Sequence, residues 1–253
     1  MPITNVIFDM GNVLIPLDQK SMKQKFSELG AKNVETIFEQ EDVQKLWKDY
    51  DAGLETAAFR AAIKEKLNIP DAKDEQIDEA WNAVLGKIPN TRFEMMQNLR
   101  KEGKKVFVLS NCNTLHHDFI QQEYGKLFTA CTNKQYYSHL LKMTKPNNNI
   151  YRHTLTDSKL IPEETLFLDD RLENVEGAKN AGIHAKQITI DTPNAVVFET
   201  IKHINTIERK KRYEKVSVVA AISAVLITGF FAAKEILAQT TDSPSPSKAG
   251  PQL

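Results

Sequence analysis

The 253-residue chain has only two cysteines, Cys112 and Cys131. A disulfide scaffold is thereby excluded, no zinc-type ligand spacing exists, and two scattered thiols fit a reducing compartment. The chain also lacks a surplus of either charge, since 33 lysines and arginines face 33 aspartates and glutamates. Nucleic-acid binders usually carry a basic excess, so that class of partner is not indicated. No internal repeat is visible. No secretory leader is expected either, because Met1 to Leu14 is strand and turn material containing an acid, with no basic opening and no cleavage site.

What is present suits one good-sized α/β domain, or a core domain with a smaller insert. The first apolar run, Val6-Ile7-Phe8, ends in Asp9 and is followed by Met10-Gly11-Asn12. Asn5 to Phe8 reads as a short buried strand, and Gly11-Asn12 as a φ-permissive turn. A carboxylate in that position lies at the carboxyl end of the strand, where open α/β sheets place their ligands. Residues 18–88 are strand-poor, with apolar positions at helical spacing that include Trp47 and Trp81, both expected in a helical core. Residues 89–205 alternate helix (92–101, 147–156, 172–180) with strand (105–109, 135–138, 165–168, 184–190). That alternation predicts a Rossmann-like, doubly wound parallel sheet formed by residues 1–17 and 89–205, with 18–88 as a helical cap inserted after the first strand.

The remaining residues change character. Arg209 to Lys215 is a basic cluster within a linker, residues 206–215. Val216 to Ala233 then runs for 18 residues without a charge. At about 1.5 Å per residue a helix of that length spans roughly 27 Å, close to a hydrocarbon core. With Ile236 and Leu237 it predicts a transmembrane helix over residues 216–238 and a single-pass membrane protein whose basic flank, and hence catalytic domain, faces the cytoplasm. Ser217/Ala221 and Ala220/Ala224 are small residues four apart, a weak signal for a homodimer. Residues 239–253, rich in Ser and Pro, are expected to be disordered.

Three further strand ends bear polar groups. Ser110 and Asn111 follow Leu109, Lys145 precedes Pro146, and Asp169-Asp170 follow Leu168, with Asn174 four residues beyond. Three carboxylates suit Mg²⁺, a hard cation that takes oxygen ligands. A hydroxyl, an amide and a lysine suit phosphate oxygens, and an ionised carboxylate can attack phosphorus. The cation and the lysine would offset the repulsion between the anions.

In this order the four strand ends resemble the motifs of the haloacid dehalogenase-like (HAD) hydrolase superfamily over about residues 1–190. Phe8-Asp9-Met10-Gly11-Asn12, Leu109-Ser110-Asn111 and Phe167-Leu168-Asp169-Asp170-Arg171 look most like its α-D-glucose-1-phosphate phosphatase-like branch, as does the insert around Tyr50-Asp51-Ala52-Gly53. The resemblance implies a Mg²⁺-dependent phosphatase acting on a small, sugar-phosphate-like metabolite through an aspartyl-phosphate. Asp9 would be nucleophile and metal ligand. Gly11 would ligate the metal through its carbonyl and Asp170 through its carboxylate, with Asp169 ligating through water or orienting. Ser110 and Asn111 would hold the phosphoryl group and Lys145 would neutralise it, in preference to Lys142. Asn174 would support the acids.

One departure stands out. Many phosphatases of the superfamily have an aspartate two residues after the nucleophile as general acid and base, a role typically worth about 10²–10⁴-fold in rate. Here that residue is Gly11, as it also is in the branch the sequence resembles. The rival reading is therefore a degenerate, membrane-anchored adaptor that binds a partner protein; a third is a metal-free dehalogenase, against which the acid pair argues. His116-His117 reads as a surface pair, and Cys112 as a small core residue beside the site.

Overall fold

A computed structural model describes residues 1–212 and Val216, and the chain divides into two units, Met1–Asn205 and Thr206–Leu253. In the second unit the described residues are helical. The expected membrane helix over 216–238, its dimer face and the expected disordered tail lie outside the described residues, except Val216. Among the described residues no helix is long and apolar enough to cross a membrane.

The first unit is built on five parallel strands: β1 (Asn5–Phe8), β2 (Lys105–Ser110), β3 (Lys134–Tyr137), β4 (Thr165–Asp169) and β5 (His184–Gln187), in the order β3-β2-β1-β4-β5. β1 is central. Asn5 is in register with Lys105 on one side and with Thr165 on the other. Each residue of β1 is buried, as a strand covered on both faces must be.

Alternation along the strands sorts the core into two layers. Val6 and Phe8 pack with Val106, Val108, Leu166 and Leu168 against α6 (Asn90–Lys101) and α7 (Thr114–Cys131), while Ile7 packs with Phe107 and Phe167 against Tyr151 of α9 (Asn148–Asp157) and Ala178 of α10 (Leu172–Asn180). Helices on both faces of a parallel sheet make the fold doubly wound.

Between β1 and α6 come the five inserted helices: α1 (Gln19–Glu28), α2 (Val34–Ile37), α3 (Glu41–Asp51), α4 (Thr56–Lys66) and α5 (Asp74–Asn82). They have an apolar core of their own, with Phe26, Tyr50, Phe59 and Trp81 fully buried. Tyr50 stacks on Phe59 with ring centroids 4.0 Å apart, and Trp47 leans on Trp81 at 4.6 Å. A short helix, α8 (Ser138–Leu141), follows β3.

One local expectation changes. The last strand stops at Gln187 instead of Ile190, because the buried Arg92 guanidinium gathers the carbonyls of Thr189, Ile190 and Thr192 and folds them into a turn. In the turn read at Gly11-Asn12, the left-handed residue is Asn12, at φ 52°. Gly11 is closely approached: a Cβ there would meet Leu17 Cδ1 at 3.0 Å, so that side chain would have to give way slightly.

Candidate active site

The carboxyl ends of β1, β2 and β4, together with the loop entering α9, converge on one cavity of about 700 Å³, roofed by the inserted helices. Asp9, Gly11, Ser110, Asn111, Lys145 and Asp170 all line it. Lys142, at the end of α8, does not. Beneath the cavity, Asp9, Asp169 and Asp170 bring carboxylate oxygens within 4.8 Å of one another.

Lys145 holds this cluster together. Its Nζ donates to Asp9 Oδ1 and to Asp169 Oδ2, each at 2.6 Å, from a side chain only 1% exposed. Burial pulls the ammonium down, but the two carboxylates outweigh it and leave Lys145 above its ordinary value. For Asp9, burial dominates. It pushes the carboxyl up to about 7, helped by the Asp169 charge and opposed by Lys145.

The two acids after β4 differ. Asp169 is fully buried, and its oxygens accept from Lys145, from the Asn174 amide at 3.0 and 3.1 Å, and from the Arg171 N–H. These donors hold its carboxyl group in a fixed orientation. Asp170 is half-buried and, among the described residues, its carboxylate accepts one bond, from Asn12 Nδ2 at 3.2 Å, so it has oxygen capacity left for a cation. Burial raises its carboxyl above the usual range.

Asn111 does something the sequence did not suggest. Its amide donates to the Lys145 carbonyl and its oxygen accepts the Lys145 N–H, both at 2.9 Å, so this side chain sets the lysine loop while it lines the cavity. Behind that loop, Gly177 of α10 lets the helix close in: a Cβ there would sit 2.7 Å from the Pro146 carbonyl oxygen. Ser110 Oγ bonds the neighbouring carbonyl of Asn111 at 3.2 Å and remains on the cavity wall.

His116 is not a surface residue. It is buried and stacks on Trp81, with ring centroids 5.5 Å apart. Asn113, the N-cap of α7, explains its state. The Asn113 oxygen accepts from Trp81 Nε1 and from the His116 N–H, so its amide must donate, to Asp51 Oδ1 at 3.0 Å and to His116 Nδ1 at 3.2 Å. Nδ1 is thus an acceptor, and Nε2–H donates to the Trp81 carbonyl. A buried neutral ring follows, and burial depresses its value from 6.5 to about 4. His117 is half-buried and pairs with Asp118. Cys112 is buried against the cavity, and burial raises its thiol.

The sign of the His116 contribution is definite. Between about 4 and 6.5 the unfolded chain binds a proton that the folded ring refuses, so this stability is complete above 6.5 and is lost as pH falls toward 4. Asp9 and Asp51, raised from 3.8 to about 7, act in the opposite direction, their contribution being lost as pH rises through that window. The effect is therefore read by difference. His116→Gln should be less stable than the parent at pH 7, and the deficit should shrink by on the order of 3 kcal/mol by pH 4. Urea unfolding at both pH values measures it, and a deficit independent of pH would contradict the neutral ring.

Sequence reasoning also missed the cap wall of the cavity, formed by Gln19, Gln44, Trp47, Lys48 and Asp51. Of these Asp51 is the titratable carboxyl. Burial pushes it up to about 7, against the Asn113 bond and the charges of Arg171 and Lys145. The acid two residues before Gly53, where φ is +101°, was the available signal.

Comparison with known proteins agrees with this geometry. The family model of the haloacid dehalogenase-like hydrolases matches residues 3–182. A D-ribitol-5-phosphate phosphatase from Bacteroides thetaiotaomicron is 27% identical over 192 residues, covering 73% of this chain and 91% of the relative. A sesquiterpene phosphatase from Aspergillus oryzae is 26% identical over 188 residues, covering 72% and 88%. Among solved structures, a HAD-family enzyme from Bacteroides thetaiotaomicron, in complex with magnesium and inorganic phosphate, superposes with a TM-score of 0.71 at 30% identity, covering 78% of this chain and 99% of that one.

Proposed function

The chain belongs to the haloacid dehalogenase-like hydrolases, and from that premise we propose that it is a Mg²⁺-dependent phosphatase of small, polyol- or sugar-type phosphomonoesters, anchored to a membrane by residues 216–238. The observation that carries the catalytic reading is the buried Lys145 ammonium spanning Asp9 and Asp169 at the open end of the sheet. Such an arrangement holds a nucleophilic carboxylate at a fixed place and offers fixed positive charge to an incoming phosphate.

The residues fit the metal. Asp9 and Asp170 offer hard oxygen ligands on one side of the cluster, Gly11 offers its carbonyl, and Asp169 is held by three neighbours as an orienting anion. Mg²⁺ bound there supplies positive charge that favours ionised Asp9 and offsets the negative charge of a bound phosphate. Asp9 would then attack phosphorus, with Ser110 Oγ and Lys145 Nζ holding the phosphoryl oxygens and Asn111 fixing the lysine loop. The polar cap wall, with Gln19, Gln44 and Lys48, supports a hydrophilic leaving alcohol, as does the likeness to a polyol-phosphate phosphatase. The anchor rests on the uncharged run from Val216 to Ala233 and the basic cluster before it.

One experiment addresses both parts. Cells expressing the full chain are extracted with carbonate, and pellet and supernatant are assayed on a panel of phosphate esters with Mg²⁺ or with EDTA. Activity is expected in the pellet, with preference for a polyol or sugar phosphate, and EDTA should abolish it. Turnover by the supernatant alone removes the anchor; no Mg²⁺-dependent turnover on any ester removes the phosphatase.

A further inference from the structure

A leaving alkoxide needs a proton, and Gly11 has no side chain to give one. The replacement can be found by elimination among the titratable side chains of the cavity. Asp9 is the attacking group in the proposed chemistry and Asp170 faces the cation. Lys145 is locked between two carboxylates. Lys48 and Arg171 are suited to hold phosphate oxygens as donors and counter-charges, which sets them aside. Both ring nitrogens of His116 are engaged, and its value near 4 keeps it neutral. The Cys112 thiol is raised by burial. Glu173 is exposed and paired with Arg171. One carboxyl remains.

We propose that Asp51, from the last turn of α3, is the general acid and base of this enzyme, delivered by the cap in place of the side chain that Gly11 lacks. This rests on the phosphatase reading above. The geometry favours a fixed role. Ser138 Oγ donates to the Asp51 carbonyl at 2.5 Å and so ties the end of α3 to the strand layer. Asn113 Nδ2 holds Oδ1, while Oδ2 accepts from no donor among the described residues. Asp51 therefore presents one restrained oxygen and one open oxygen to the cavity that Asp9 also lines.

The charged and titratable neighbours are few. Arg171 and Lys145 act to lower Asp51, and Cys112 senses its charge. His139 and Lys142 approach at Gly53, two residues on, where a Cβ would lie 2.9 Å from the His139 carbonyl oxygen. Burial outweighs the two cations, so the carboxyl is poised at about 7, where an acid that must later act as base works best.

The steps balance. As Asp9 bonds to phosphorus, the bond from phosphorus to the ester oxygen breaks, and that oxygen takes the Asp51 proton to leave as alcohol. Water then attacks the aspartyl-phosphate and passes its proton to Asp51. The Asp9–phosphorus bond breaks, releasing phosphate and restoring both carboxyls.

The test compares the full-length parent with Asp51→Asn on D-ribitol 5-phosphate and on p-nitrophenyl phosphate, whose nitrophenolate leaves without a proton. For the variant, kcat on the polyol phosphate should fall about 10²–10³-fold with KM nearly unchanged. With p-nitrophenyl phosphate it should still release a burst of one nitrophenolate per site, followed by slow turnover, because only the second step then needs the base. The parent's kcat on the polyol phosphate should decline above pH 7, and Asp51→Glu should restore part of the loss with a shifted profile. Folding and metal binding are checked by the rise in melting temperature with Mg²⁺ and beryllium fluoride. Polyol turnover within threefold of the parent overturns the role. So does loss of the burst in a variant that still binds beryllium fluoride. If Asp51→Asn does not fold, an Asp51→Glu profile identical to the parent's overturns it instead. A parent inactive on every ester of the panel described above defeats the phosphatase reading itself.

Discussion

Asp9→Asn is expected to lower turnover by on the order of 10⁴–10⁶-fold while leaving the fold almost untouched. The size follows from the proposed role of Asp9 as nucleophile, without which no covalent intermediate would form. The mildness toward stability follows from electrostatics. Burial already holds the Asp9 carboxyl up at about 7, so an amide resembles its protonated form in shape and charge. The amide oxygen can still accept from Lys145, which retains Asp169 as its counter-ion. Melting temperatures at pH 6 with and without the substitution, beside phosphate release from the best ester, measure the two effects separately. A variant that turns over within tenfold of the parent would remove Asp9 from the chemistry.

Lys145→Met should do the reverse and damage fold and activity together. It leaves Asp9 and Asp169 facing each other with no cation between them, at 10% and 0% side-chain exposure. Breaking a buried pair by removing one partner costs about 3–5 kcal/mol, because the surviving charge is neither paired nor hydrated. The loss should be largest above pH 7 without divalent cations, where Asp9 is ionised, and smaller at pH 5, where it takes up a proton. Adding Asp9→Asn to Lys145→Met should recover part of the loss, since one of the opposed charges is gone, and that non-additivity measures the coupling. Urea unfolding of the single and double variants decides. A cost below about 1 kcal/mol at pH 8 would show that the carboxylates are solvated after all.

How much of this was readable from the chain depended on how local each cause was. β1 and its acid lie within five consecutive residues, and the polar ends of β2 and β4 are equally local, so the alternation of strand and helix predicted the sheet and where its reactive edge would be. The cap wall was not readable in that way. Asp51 faces the cavity because Asn113 and Ser138, far along the chain, hold the end of α3. His116 looked like half of a surface pair; its burial comes from Trp81, 35 residues earlier, whose ring and carbonyl close over it. Asn111 lines the cavity as expected, but its bonds to the lysine loop were not readable, since nothing in Ser110-Asn111 reveals that a loop 34 residues later needs its amide. At the first turn, Gly11-Asn12 was legible as φ-permissive because both types tolerate positive φ, and the structure places that conformation at Asn12.

The central position of β1 has a consequence for synthesis. Its two neighbours in the sheet, β2 and β4, begin at Lys105 and Thr165, so the first strand made is among the last to be enclosed. Asp9 and Lys145 are 136 residues apart in the chain, and Asp169 follows 24 residues after the lysine. A nascent chain can close the apolar core of α1 to α5 from local contacts, but the sheet must wait for pairings at long sequence separation, which form slowly. The catalytic end of the molecule therefore cannot be assembled before β4 is made, and an arrest in translation before β4 would leave the Phe8 edge unpaired, a template for association with other chains.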